Sequence, residues 1–261
     1  MEYLDFLQRV HELLEPPAYL EIGVRHGDSL ALARGPAIGI DPAYELRVEL
    51  APEAVLFRET SDEYFDRPDP LEPFGGRPAS LAFIDGMHLV EFALRDFINV
   101  ERHSEWTGVV VFDDIFPNEV VEAARHRRTR MWAGDVYKVV EILARHRPDL
   151  IRLRVDTEPT GLLLVLALDP ESRVLDQAYD DIVRSVVAPD PQRLPAQVTE
   201  REGALAPDAV LSASFWAVLR DARERGLTSE EGARGLRRAV SRDFRHQVTW
   251  RPLRRLLPAR A

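Results

Sequence analysis

Cysteine is absent from the 261 residues. That excludes disulfides, thiolate metal ligands and cysteine nucleophiles. A positive charge balance is absent too. The chain carries 34 Lys and Arg against 44 Asp and Glu, a formal net charge of -10, which argues against general nucleic-acid binding. Long hydrophobic runs are missing. The longest, Gly161 to Leu168, is far too short to span a bilayer. The start, Met1-Glu2-Tyr3-Leu4-Asp5, lacks the basic segment and apolar run of a secretory signal. What is there, 45% hydrophobic and 30% charged residues, is the composition of an ordinary soluble globular protein. A cytoplasmic location with no membrane association is expected. The length suffices for a full core, in one large domain or one domain with an appendage.

Leu4, Phe6, Leu7, Val10, Leu13 and Leu14 recur close to helical period over residues 2–14, and Pro16-Pro17 stops that helix. Strands are expected at 18–22, 37–41, 55–58, 80–84 and 108–112. Helices are expected from Asp28 to Ala33 and over 43–50, 90–103 and 136–147. Two further strands, 150–155 and 161–168, are joined by turn chemistry at Glu158-Pro159-Thr160-Gly161. Strand–helix alternation followed by two neighbouring strands predicts an α/β fold. Its sheet is doubly wound and mostly parallel, with an antiparallel last strand. Beyond it, 172–187 reads as helix, 188–208 as a Pro-rich linker and 212–244 as helix. From Arg242 onward six arginines face one aspartate, which suits a solvated tail, a subunit contact or a clamp over an acidic site. The terminal helices offer apolar surface for a homodimer. The expected division is an N-terminal helix at 1–17, a sheet domain at 18–170 and a helical extension with a basic tail at 171–261.

Acidic residues close two of the strands. Asp85 ends Ser80-Leu81-Ala82-Phe83-Ile84, and Asp113-Asp114 end Gly108-Val109-Val110-Val111-Phe112. Ligands of open α/β sheets bind outside the carboxyl ends of such strands. Carboxylates gathered there repel one another unless a cation sits among them, so the trio suggests a hard divalent metal. Asp113 and Asp114 also suit helix caps. Leu20-Glu21-Ile22-Gly23-Val24-Arg25-His26-Gly27-Asp28-Ser29 is a glycine-containing turn between strand and helix, and Asp28 and Ser29 are natural caps. Asp41 ends the next strand, about 18 residues after Gly23, where an acid can accept hydrogen bonds from ribose hydroxyls. The Gly-x-x-x-Gly spacing fits the dinucleotide fingerprint poorly, and no phosphate loop is present. A ligand with a ribose but no pyrophosphate fits better. Arg125-His126-Arg127-Arg128-Thr129-Arg130 reads either as a solvated face or as a lid for an anionic group. Trp132 and Tyr137 suit an acceptor pocket or the core equally.

These residues resemble the class I S-adenosylmethionine-dependent methyltransferases over about residues 18–168. Leu20-Glu21-Ile22-Gly23-x-x-x-Gly27-x-Ser29 is similar to the cofactor motif of catechol O-methyltransferase. Ile84-Asp85-Gly86-Met87-His88 with Phe112-Asp113-Asp114 looks like the macrocin and macrolide-sugar enzymes. Val90 stands where those enzymes often have an aromatic residue, and Thr107-Gly108 where Gly-Gly is usual. The resemblance implies a Rossmann-like, seven-stranded methyltransferase sheet. It implies S-adenosylmethionine as cofactor, held by Glu21, Gly23, Arg25, Gly27 and Ser29 around its methionine portion. Asp41 would take the ribose, and Thr60, Ser61 and Asp62 the adenine side, with Asp85 adjoining. It implies Mg²⁺ on Asp85, Asp113 and Asp114, His88 as general base beside Asp85, and a small hydroxylated acceptor such as a sugar or natural-product scaffold. N- or C-methylation without a catalytic metal, and a non-catalytic binding protein on the same fold, are the alternatives.

Overall fold

The computed structural model of the chain describes residues 1–244. Seven strands form one sheet: β1 (Tyr19–Ile22), β2 (Ala37–Ile40), β3 (Ala54–Phe57), β4 (Ala79–Ile84), β5 (Ser104–Phe112), β6 (Ile151–Val155) and β7 (Leu162–Leu166). Their order is β3-β2-β1-β4-β5-β7-β6. The pairs from β3 through β5 are parallel, and β7 runs antiparallel to both β5 and β6. This is a doubly wound, Rossmann-like sheet, with the antiparallel last strand that the closing strand pair predicts. Most strand residues are buried on both sides, as expected where helices cover both faces of a parallel sheet.

Nine α-helices lie among the described residues: α1 (Tyr3–Leu14), α2 (Ser61–Phe65), α3 (Val90–Arg102), α4 (Val139–His146), α5 (Val174–Val186), α6 (Ala196–Thr199), α7 (Pro207–Leu211), α8 (Phe215–Glu224) and α9 (Ser229–Asp243). One face of the sheet is covered by α3, α4 and α5, through Leu94, Phe97, Leu143 and Ile182 against Ile84, Val110 and Phe112. The other is covered by α1 and α7 to α9, through Phe6, Val10, Phe215 and Leu236 against Phe83, Val109 and Val111. Each such fully buried side chain contributes about 1.5–3 kcal/mol. The C-terminal stretch therefore supplies part of both helical layers. None of the described helices is long and apolar enough to cross a membrane.

Several expected elements differ. The helix expected from Asp28 to Ala33 is only a 3-10 turn, Leu30–Leu32, because the glycine turn uses the preceding residues and Gly35-Pro36 cuts the segment short. The helix expected over 43–50 is irregular chain. Leu46, Val48 and Leu50 alternate with polar residues, and all three pack around Gly27. Glu45 and Arg47 donate their amides to the Arg25 and His26 carbonyls at 2.8 and 3.0 Å. That two-residue period belongs to an extended chain. The expected linker 188–208 holds α6 and the start of α7, and the helix expected over 212–244 is broken between α8 and α9. The arginine-rich end beyond residue 244 lies outside the described residues.

Candidate functional site

Strand order reverses between β1 and β4, whose carboxyl ends open a crevice. Gly23 leaves β1 with φ +93, and a Cβ there would lie 2.0 Å from the Asp85 carbonyl oxygen. Only glycine allows the two strand-end loops to touch at this point. The following turn places Arg25 so that its amide donates to Asp41 Oδ2 at 2.8 Å. The Ala43 amide donates to Asp41 Oδ1 at 2.6 Å. Each Asp41 oxygen keeps acceptor capacity beyond that one bond. Glu21 lies beneath the turn. It is fully buried and accepts the Tyr19 and Ser29 hydroxyls at 2.6 and 2.8 Å. Burial pushes its pKa up to about 8, so it braces the turn as a neutral acid. Gly27 is held by its amide on the Val24 carbonyl, 2.8 Å away.

At the ends of β4 and β5 the acids divide. Asp85, His88 and Asp114 each offer a ligand atom, all within 4.8 Å of one another. His88 lies between the two carboxylates, with Nε2 3.1 Å from Asp85 and Nδ1 2.6 Å from Asp114. Burial disfavours its charge, but hydrogen bonds to Asp114 and Asp85 prevail and push its pKa up to about 11. In this arrangement the two carboxylates favour the charged form of His88. Asp113 is not part of that set. Its Oδ1 accepts the Asp114 amide at 2.8 Å and the Thr160 hydroxyl at 3.5 Å. Burial, then the neighbouring Asp114 and Asp85, hold its carboxyl well above the usual range. Asp113 and Asp114 lie beyond the end of β5 at Phe112, and Asp114 has φ +65, so the chain turns between them.

A loop after β5 covers His88. Trp132 stacks on its ring with centroids 5.0 Å apart and planes 7° from parallel, and the Trp132 carbonyl lies 2.8 Å from His88 Nδ1. Gly134, at φ +60, passes so close to the His88 carbonyl that a Cβ would overlap it at 1.7 Å. Asp135 anchors this loop. It does not cap the helix that follows it. Its fully buried carboxylate accepts the Val90 amide at the start of α3 (2.9 Å) and pairs with Arg125 and Lys138 at 2.8 and 2.9 Å. The basic run is split accordingly. Arg125 is an internal ion-pair residue, also paired with Glu91, while His126, Arg127, Arg128 and Arg130 are exposed. Tyr137 is core.

Ser61 and Asp62 open α2, where Thr60 and Glu63 form a reciprocal capping box. The Ser61 hydroxyl donates to Asp96 at 2.5 Å, and Asp62 takes a bidentate ion pair from Arg95 at 2.6 and 2.5 Å. Two nearby groups are not singled out by sequence reasoning. One is Asp96, on α3. The other is Tyr3, whose ring stacks on Phe83, two residues before Asp85, with centroids 6.4 Å apart. Burial, then Asp85, Asp113, Asp28 and Glu21, raise the Tyr3 phenol. No local pattern marks Tyr3, because its neighbours there lie about 80 residues away. The Thr-Ser-Asp-Glu capping-box pattern, by contrast, was present for α2. A cleft lined by Asp85, Gly86, His88, Asp96, Asp113 and Asp114 joins these groups. A larger groove of about 490 Å³ beside Gln8, Arg9 and Asp208 is open to solvent and contains none of them.

No protein-family model matches the chain, and no curated protein matches it. Among solved structures it is similar to the O-methyltransferase TomG from Streptomyces achromogenes in complex with SAM. The identity is 20%, over 64% of this chain and 79% of that one, with a TM-score of 0.47. It is similar to an O-methyltransferase from Bacillus cereus in complex with SAH at 14%, over 63% and 80%, TM-score 0.44. The SAH-bound Podospora anserina methyltransferase PaMTH1 shares 11%, over 64% and 78%, TM-score 0.45. Likenesses at these levels assign no residue, so the site rests on its own geometry.

Proposed function

We propose that the chain is an S-adenosylmethionine-dependent methyltransferase acting on a hydroxyl of a small molecule, with a divalent cation beside the acceptor. One observation carries this reading: the glycine turn, Asp41 and the Asp85–His88–Asp114 cluster all open on the crevice at the β1/β4 switch point. Asp41 has acceptor capacity for ribose hydroxyls, and an acid-rich crevice suits a sulfonium donor. Two carboxylates there, Asp85 and Asp114, bracket His88, and an acidic cluster of this kind fits a divalent ion. Asp85 and Asp114 would hold it, oxygen donors suited to a hard ion such as Mg²⁺, with Asp113 turned to Thr160 outside that set. When bound, such an ion lowers the pKa of an acceptor hydroxyl and fixes its position. His88 would take the acceptor proton at Nε2 while Nδ1–H stays donated to Asp114 and the Trp132 carbonyl, a base oriented by its neighbours. Asp85, once engaged as a ligand, no longer supports the second proton on Nε2.

A second reading also has an observation behind it. His88 already bridges Asp85 and Asp114, which suits metal-free N- or C-methylation with the acids as structural partners. Calorimetry with S-adenosylhomocysteine tests the shared half, and absence of binding defeats both readings. Methyl transfer to a panel of hydroxylated sugars and natural-product scaffolds, followed by mass spectrometry with Mg²⁺ or with chelator, separates them. Transfer that is indifferent to the chelator overturns the metal-assisted route.

A further inference from the structure

Three arginines of the basic run have no task in the reading above. Arg127, Arg128 and Arg130 are exposed on the loop that covers His88, and no acidic residue occurs from Ala123 to Gly134. The loop is fastened at its base. The Trp132 indole N–H donates to the Ala124 carbonyl at 2.6 Å. The Ala133 and Gly134 amides both donate to the Glu122 carbonyl, at 3.1 and 3.0 Å. Arg127 is engaged within the loop, donating to the Thr129 and Arg130 carbonyls at 3.4 and 3.0 Å. The side chains of Arg128 and Arg130 have no ion pair and no hydrogen bond among the described residues.

A solvated face accounts for exposed charge, but not for its arrangement. Neighbouring arginines repel one another, and a chain of net charge -10 has acids enough to intersperse among them. Like charges gathered on a short, fastened loop favour an anion, and the planar guanidinium fork matches a phosphate or a carboxylate. The position of the loop selects which anion. Arg130 stands two residues before Trp132, so at most about 7 Å of chain separates its backbone from that of the residue stacked on His88. His88 in turn contacts Asp85 and Asp114. An anionic group arriving here is repelled by those acids and attracted by the arginines. A molecule with an anion at one end and a hydroxyl at the other is therefore turned with its hydroxyl toward His88.

We propose that Arg128 and Arg130 bind a phosphate or carboxylate of the methyl acceptor, which makes the acceptor a small hydroxylated anion. This assignment rests on the methyltransferase reading and narrows its substrate class. The two arginines position the acceptor and take no part in the transfer itself.

Calorimetry on the full chain saturated with S-adenosylhomocysteine is the test. The probes are two matched pairs, glucose 6-phosphate against glucose and protocatechuate against catechol. The anionic member of at least one pair is expected to bind at least about tenfold more tightly than its neutral partner, and the pair that shows it tells phosphate from carboxylate. In the double variant Arg128→Gln, Arg130→Gln that preference should fall to within about twofold. Its affinity for S-adenosylhomocysteine and its stability in urea should be unchanged, since both side chains are exposed. Absence of any preference for the anionic member in both pairs overturns the proposal. A preference that survives in the folded double variant also overturns it, because other groups then hold the anion. If S-adenosylhomocysteine binds and neither pair discriminates, the arginine assignment falls alone. If S-adenosylhomocysteine does not bind, the methyltransferase reading falls with it.

Discussion

Gly23→Ala tests fold and site together. The added methyl would stand 2.0 Å from the Asp85 carbonyl oxygen, 2.5 Å from its carbon and 2.9 Å from the Gly86 nitrogen. All three are backbone atoms, so no flexible side chain can swing aside. Ordinary contact begins near 3.4 Å, against 2.0 Å here, so the loops after β1 and β4 must separate by well over an ångström. The φ of +93 adds strain of about 1–3 kcal/mol for any residue with a Cβ. Separation also stretches two bonds that close the switch point, Gly23 N–H to Ile40 O and Asp85 N–H to Ile22 O, both 2.9 Å. Each is worth about 0.5–1.5 kcal/mol net. The expected loss is therefore about 2–5 kcal/mol in urea unfolding, with at least about tenfold weaker binding of S-adenosylhomocysteine by calorimetry. Gly35→Ala is the control. Nothing lies within 4 Å of a Cβ there and its φ is not positive, so its change should stay within about 0.5 kcal/mol. A Gly23→Ala protein as stable as that control, with wild-type affinity, would refute the proposed packing of the switch point.

Other outcomes follow from buried charge. Glu21 is held up to about 8 by burial, from 4.5, so the native chain keeps a proton that the unfolded chain releases. The contribution of that proton is complete below about 4.5 and is lost as pH rises through about 8. Glu21→Gln should therefore flatten stability against pH across that window, by at most about 1.4 kcal/mol per pH unit; urea titrations with parallel slopes for both proteins would contradict a neutral Glu21. Asp135→Asn leaves Arg125 and Lys138 facing a neutral amide in a site where Asp135 is fully buried. It should lose about 3–5 kcal/mol and release Trp132 from His88, visible as a change in tryptophan fluorescence. A loss under about 1 kcal/mol would show that Glu91 alone secures the loop.

Much of the site's chemistry was legible because it is local. Asp85 and Asp113-Asp114 announce themselves by closing apolar runs, and the glycine turn and Asp41 stand at fixed distances from strand ends. The failures were also local. Residues 43–50 carry a two-residue alternation that is easily overlooked in a short window, yet it is what lays Leu46, Val48 and Leu50 on Gly27. The capping box at Thr60 marked a helix that the strand–helix count did not use.

By itself, the sequence determined the strand periodicity, the parallel winding and the residue types at the carboxyl ends, since these depend on neighbours two to four positions apart. Tertiary structure decided which of those residues meet. Asp114 turns to His88 while Asp113 turns to Thr160. Asp135 caps a helix 45 residues earlier in the chain. Tyr3 reaches Phe83, and α1 with α7 to α9 closes a whole face of the sheet. Contacts between such distant residues follow from how the layers pack, and no local pattern encodes which partner arrives.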